Sequence, residues 1–122
     1  MKKIMVVDDS TTIRNIIKNA LVADFDVCEA DDGVKALQTL SVCGLVSLFL
    51  LDVNMPNMDG LTLLPNIRKL ADYKTTPILM LTTETKEEFR SKAKACGANG
   101  WIVKPCEPEK LLAAVKRILG EC

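Results

Sequence analysis

Leu50-Leu51-Asp52-Val53-Asn54-Met55-Pro56-Asn57-Met58-Asp59-Gly60 is the stretch where an apolar run ends on a carboxylate and passes into a turn. Residues 46–51 are apolar except Ser47, as in a strand buried on both faces, and Pro56 with Gly60 marks the exit from it. Asp52 then lies at the carboxyl end of a strand, on the rim where open α/β sheets gather ligands. An aspartate there is, by itself, more often a turn former than a reactive group. Its meaning depends on what the other loops bring to the same rim.

Working outward, residues 2–7 read as a short strand ending in Asp8-Asp9. Ser10 can cap a helix whose apolar residues Ile13, Ile16, Ile17, Ala20 and Leu21 fall at helical spacing. Residues 25–30 give a second strand, and Asp31-Asp32-Gly33 opens a helix with Val34, Leu37 and Leu40 on one side, closing near Gly44. After the third strand, Asp59 can cap a helix with Leu63, Leu64, Ile67 and Leu70 inward. Pro65 is tolerable there only within the first turns. Residues 78–81 form a fourth strand, followed by a Thr82-Thr83-Glu84 loop. Thr85 and Glu88 are spaced as a capping box for a helix with few apolar residues, Phe89, Ala93 and Cys96. Residues 99–103 form the fifth strand. Pro108 stands where a first helical position would be, and Leu111, Leu112, Val115, Ile118 and Leu119 form the stripe of the last helix.

Five strands alternating with five helices predict one α/β domain spanning residues 1–122: a doubly wound parallel sheet, covered on both faces, with right-handed crossovers. All strand-to-helix loops of such a sheet open at one rim, which receives Asp8, Asp9, Asp52, Thr82 and Lys104. The totals exclude other classes. Sixteen basic and 16 acidic residues leave no net charge to steer the chain toward nucleic acid or an anionic membrane. The longest apolar region, 42–51, is far short of the roughly 20 residues of a membrane span. The apolar stretch 4–7 is too short for a signal peptide core, so a cytoplasmic location is expected. Five scattered cysteines without a C-x-x-C pair, and no histidine, give no zinc pattern; free thiols in a reducing compartment are expected.

Three converging carboxylates repel one another, so a site that keeps them ionised needs a cation. Oxygen donors of this kind suit Mg²⁺ better than a full Ca²⁺ cage. An EF-hand beginning at Asp52 fails, because Pro56 would be its fifth position and Leu63 its twelfth, where a glutamate is needed. No G-x-G-x-x-G and no Walker lysine loop is present. A metal, a carboxylate, a hydroxyl and a lysine at one rim fit a phosphoryl group. Asp52 would be the nucleophile, Lys104 would neutralise charge on the transferred oxygens and Thr82 would donate a hydrogen bond.

With Asp8-Asp9, Asp52 in its loop, Thr82 and Lys104-Pro105 in that order, the whole chain resembles response-regulator receiver domains, in particular single-domain chemotaxis regulators of the CheY kind. The resemblance implies a flavodoxin-like strand order 2-1-3-4-5 and a phosphorylation-activated switch of a two-component system. Asp52 would accept a phosphoryl group from a sensor histidine kinase. Asp9, Asp52 and the Asn54 carbonyl would ligate Mg²⁺, Asp8 would assist through water, and Lys104 and Thr82 would bind the phosphoryl oxygens. Trp101 stands at the position of the family's switching aromatic, usually Tyr or Phe. Cys106 and Ser47 depart from the residues common in relatives, and the sequence permits a cis bond at Lys104-Pro105.

Also implied are a monomer, a chemotaxis kinase and a flagellar motor switch protein as partners, a phosphatase as a further one, and an output surface of the fourth helix, fifth strand and last helix. Such a protein is no enzyme beyond catalysing its own phosphorylation and dephosphorylation. Two alternatives use the same pocket. A phosphorelay intermediate would pass the group on to a histidine domain. A small Mg²⁺ phosphohydrolase would need an acid two residues after the nucleophile, where this chain has Asn54.

Overall fold

The computed structural model describes residues 1–83, 85–104 and 107–120. The expectations for Glu84, for the Lys104-Pro105 bond and for Cys106 therefore lie outside the described residues. In chain order the elements are β1 (Lys3–Val7), α1 (Thr11–Leu21), β2 (Asp26–Ala30), α2 (Gly33–Leu40), β3 (Leu48–Asp52), α3 (Gly60–Arg68), a 3₁₀ turn (Ala71–Tyr73), β4 (Ile78–Thr82), α4 (Glu87–Ala95), β5 (Gly100–Val103) and α5 (Pro108–Ile118). The strands form one sheet in the order β2-β1-β3-β4-β5, every neighbouring pair parallel, which is the expected fold class and strand order.

The sheet separates two apolar layers. Ile4, Val6, Leu48, Leu50, Leu79 and Leu81 face Ile17 and Leu21 of α1 and Leu111 and Val115 of α5. Met5, Val7, Phe49, Leu51, Ile78 and Met80 face Ala36 of α2, Leu63, Leu64 and Ile67 of α3, and Ala93 of α4. Burial on both faces is why β3 and β4 read as unbroken apolar runs instead of alternating ones.

Several expectations shift. The apolar stripe is narrower than the spacing suggested: Ile16 is 44% exposed, and Val34, Leu70 and Ile118 also stand outside it. In α2 the buried residues are Gly33, which lies against Met58, and Ala36, with Leu37 and Leu40 partly buried on the same layer, while Val34 points outward. α2 stops at Leu40 and the chain turns before Gly44, whose φ is +84°. Leu70 leaves α3 to start the 3₁₀ turn, which buries Tyr73 edge-on against Phe49 at 5.2 Å between ring centroids. Pro65 is the sixth residue of α3, beyond the first turn, where its lacking N–H leaves the Leu61 carbonyl without its helical donor. Burial of Leu63, Leu64 and Ile67 on the same helix offsets that loss.

The capping box does not form. α4 begins at Glu87 with Lys86 in the cap position and no side-chain cap, so Glu88 is one residue too early to reach back. Ser10, Asp32 and Asp59 do cap α1, α2 and α3, accepting from the amides of Ile13, Lys35 and Thr62.

Candidate functional site

Strand pleating decides which side chains meet. Along β1, β3 and β5, Val6, Leu50 and Ile102 face the α1/α5 layer, and two residues further on in each case come Asp8, Asp52 and Lys104. Three chemically different side chains are thereby delivered to one side of the rim. Carboxylate oxygens of Asp8, Asp9 and Asp52 lie within 4.8 Å of one another. The Lys104 ammonium donates to Asp8 Oδ2 at 2.8 Å and to Asp52 Oδ1 at 2.9 Å. Asp8 and Asp52 are buried, and Asp9 is exposed.

Backbone contacts hold this arrangement. The Asp8 amide donates to Ala30 O at 3.2 Å, while Asp8 Oδ1 accepts from the Ser10 amide at 2.9 Å. Arg14 donates to the Asp8 carbonyl at 2.5 Å and to Glu29 Oε1 at 3.0 Å, tying α1 to β2 beneath the acid cluster. The Lys104 amide donates to Thr82 O at 2.7 Å and the Val53 amide to Leu81 O at 3.3 Å, which fixes the ends of β3, β4 and β5 together.

Electrostatically the site is poised around Asp52. Burial pushes its carboxyl above the usual carboxylate range, and the charges of Asp8 and Asp9 push the same way against the hydrogen bond from Lys104. For Lys104, burial alone would lower the pKa. Its hydrogen bonds to Asp8 and Asp52, with their charges, win and raise it, so the ammonium stays protonated. Among the described residues, the Lys104 ammonium is the cation bonded to a cluster of three acids, which leaves the cluster short of positive charge.

The remaining expected residues occupy the same rim but not the same cluster. Thr82 is buried at the end of β4 and, being two residues past Met80, belongs to the α2/α3/α4 side of the sheet. Trp101 pairs with Met80 in register and packs on that same side, with the Arg90 guanidinium carbon 4.9 Å from its ring centroid. Thr82 and Trp101 thus share one face, one pleat apart, while Asp52 approaches from the other. Asn54 is exposed in the loop leaving β3.

Sequence reasoning missed four supports. Gly60 is one: a Cβ there would lie 2.2 Å from the Asp52 carbonyl oxygen. Gly33 is another, its added Cβ falling 2.8 Å from Met58 Cβ. Asn57, at φ +66°, donates to Asp32 Oδ2 at 2.9 Å and so links the loop after β3 to the start of α2. Arg68, at the far end of α3, donates to Gly97 O at 2.7 Å, Tyr73 O at 2.8 Å and Asn99 Oδ1 at 2.8 Å. A Gly ending the loop and an Asn in a Pro-Asn-Met turn were visible signals, whereas the Arg68 network depends on residues up to 31 positions away and was not.

Comparison with known proteins agrees with this geometry. The family model described as the response regulator receiver domain matches residues 4–116. The chain is 40% identical over 120 residues to chemotaxis protein CheY1 of Helicobacter pylori, covering 97% of each chain. It is 45% identical over 105 residues to chemotaxis protein CheY-3 of Vibrio cholerae, covering 84% of this chain and 80% of that one. The solved structure of Vibrio cholerae CheY4 superposes with a TM-score of 0.91 at 43% identity, over 97% of this chain and 98% of that one. With a matching family model over nearly its whole length, the expected strand order and the acidic cluster at the expected rim, this chain belongs to the response regulator receiver domain family.

Proposed function

We propose that this protein is a phosphorylation-driven switch of a two-component system acting in chemotaxis, with Asp52 as phosphoacceptor. The observation that carries the reading is the Lys104 ammonium bonded at once to Asp8 and Asp52 inside a cluster of three carboxylates. In the transfer, an Asp52 oxygen attacks phosphorus, the bond from phosphorus to the donor histidine nitrogen breaks, and that nitrogen keeps the electron pair. Lys104 follows the developing charge from its present carboxylate partners to the phosphoryl oxygens, and Thr82 supplies a hydroxyl.

The all-oxygen donor set and its span fit a hard divalent ion. Asp9, Asp52 and the Asn54 carbonyl would hold Mg²⁺, with Asp8 assisting through water; when bound, the ion neutralises charge on the phosphoryl oxygens. The Asp52 carboxyl, raised first by burial and then by the charges of Asp8 and Asp9, would be favoured in its ionised form by a cation held there.

Drawing the Thr82 hydroxyl toward an acyl phosphate changes the face it shares with Trp101, and through it the surface of α4, β5 and α5. That surface is the docking site we assign to the output partner, by family a flagellar motor switch protein, with a chemotaxis kinase upstream and a phosphatase as a further regulator. The names of the curated relatives support the chemotaxis assignment. Among the described residues no helix is long and apolar enough to cross a membrane, in keeping with a cytoplasmic signalling role.

Incubation with acetyl phosphate tests the reading. Intact mass should rise by one phosphoryl group with Mg²⁺ present and not with a chelator in excess. Labelling that ignores the chelator would remove the metal from the account. Transfer from the labelled protein to a histidine phosphotransfer domain would favour a relay intermediate over a terminal switch.

A further inference from the structure

Two of the free cysteines lie side by side, away from the acid cluster. Cys28 is the middle residue of β2, on the face covered by α2, and Cys43 sits in the turn between α2 and β3. Their sulfur atoms are 3.6 Å apart, and the Cys43 sulfur also lies 3.6 Å from Gly44 O. We propose that Cys28 and Cys43 form an oxidisable dithiol that a peroxide converts reversibly into a disulfide, a modification site independent of Asp52.

Both cysteines are partly buried, but they sit on different parts of the fold. Cys43 lies between Val42, 82% exposed, and Leu45, 68% exposed, so the turn that carries it stands in solvent. Cys28 is held within β2 on the face that α2 packs against, where burial, then the neighbouring sulfur, pushes its thiol up to about 12. Cys43 therefore meets the oxidant and Cys28 resolves the product. The Cys43 thiolate attacks one peroxide oxygen, the O–O bond breaks and hydroxide leaves, giving a sulfenic acid. The Cys28 sulfur attacks the Cys43 sulfur; the S–S bond forms, the S–O bond breaks, and hydroxide departs with the Cys28 proton as water. Two thiols and one peroxide become one disulfide and two waters, the sulfurs losing the two electrons that the peroxide gains.

Bond formation needs the sulfurs to close to about 2.05 Å. The moving part is the turn, since Cys28 is fixed in register with Met5. Ser41–Gly44 belong to no strand or helix, and Gly44 at φ +84° supplies a flexible joint before β3. The cross-link would close a loop containing the whole of α2, whose cap Asp32 accepts from Asn57 in the acceptor loop, so oxidation would tether the helix behind that loop at both ends.

Treating the full chain with hydrogen peroxide, blocking residual thiols and digesting with trypsin without reductant tests this. The expected product is peptide 19–35 joined to peptide 36–68, lighter by two hydrogen atoms than the sum of the two and separated by dithiothreitol. Cys96, at the end of α4 away from this pair, serves as an internal control thiol. The oxidised protein should melt about 5–10 °C higher than the reduced one. Cys43→Ser should abolish both effects, as should Cys28→Ala if the first variant folds poorly. Recovery of both peptides unlinked, each carrying the blocking group or oxidised to separate acids, would overturn the proposal, and so would cross-links made indiscriminately with Cys96.

Discussion

Replacing Gly60 by alanine would put a Cβ 2.2 Å from the carbonyl oxygen of Asp52 and 3.0 Å from both its carbonyl carbon and Met80 Cε. Ordinary contact begins at 3.4 Å, so the backbone at the end of β3 must retreat by about 1 Å. It cannot do so freely, because the Gly60 amide donates to Val53 O at 2.9 Å and Asp52 is in register with Leu81. Two effects oppose each other. Loss of unfolded-state freedom favours alanine by about 0.4–1 kcal/mol, whereas forcing an extra carbon into a filled site costs about 1–3 kcal/mol or more. Here the obstacle is backbone, which yields least, so the cost wins. For a chain of 122 residues each kcal/mol moves the melting midpoint by about 4 °C, and a fall of about 4–10 °C is expected.

The same displacement moves Asp52, the proposed acceptor. A shift of about 1 Å at reacting groups can cost about 100-fold in rate, so acetyl phosphate labelling of Gly60→Ala should slow by about 10- to 100-fold at a temperature where both proteins are folded. Calorimetry and time-resolved intact mass read the two effects separately. A variant that melts within a degree of wild type and labels at the same rate would refute the close approach of Gly60 to Asp52.

Lys104→Met removes the ammonium that bonds Asp8 and Asp52, and breaking such a largely buried pair costs about 3–5 kcal/mol. Its midpoint should fall steeply in chelator and recover with added Mg²⁺ by more than that of wild type; equal Mg²⁺ shifts would contradict competition between Lys104 and the ion. Glu29 is held below the usual carboxylate range, chiefly by the hydrogen bond from Lys18 at 2.5 Å, with Arg14 adding to it against burial. Its contribution is complete above the unfolded pKa of about 4.3 and disappears as pH falls through the lower folded value. Glu29→Gln should thus be less stable than wild type at pH 7, with the gap narrowing as pH falls below about 4.3, and a gap that does not narrow in acid would exclude ionisation as the cause. Arg90→Ala uncovers the ring of Trp101, the one tryptophan, and should shift its emission maximum. An unchanged spectrum in the variant would mean that Arg90 does not rest on the ring in solution.

Local signals in the sequence carried most of the fold. Apolar runs of the right length for β3 and β4, and Ser10, Asp32 and Asp59 before helical spacing, are short-range patterns that tertiary structure had no reason to override. The acid cluster was legible because parallel strands put every following loop on one rim, and Asp8, Asp9, Asp52 and Lys104 are all strand-end residues. What escaped depends on distance between elements. Val34 was expected inward by its spacing, but the residues that α2 buries are Gly33, against Met58 of the loop after β3, and Ala36, and Val34 is left outside. The reason for glycine at position 60 is the Asp52 carbonyl, eight residues back and adjacent only after β3 has folded into the sheet. Likewise, nothing in the spacing of Cys28 and Cys43 announced that their sulfurs touch.

The most direct measurement of the central claim is the site of phosphoryl attachment. Wild type and Asp52→Asn, with their folds matched by circular dichroism, would be labelled with acetyl phosphate and Mg²⁺ and trapped with borohydride, which reduces an acyl phosphate to an alcohol. The account predicts homoserine at position 52 in wild type and no labelling above background in the variant. Labelling of Asp52→Asn at the wild-type rate, or reduction at Asp8 or Asp9 in the wild type, would contradict it.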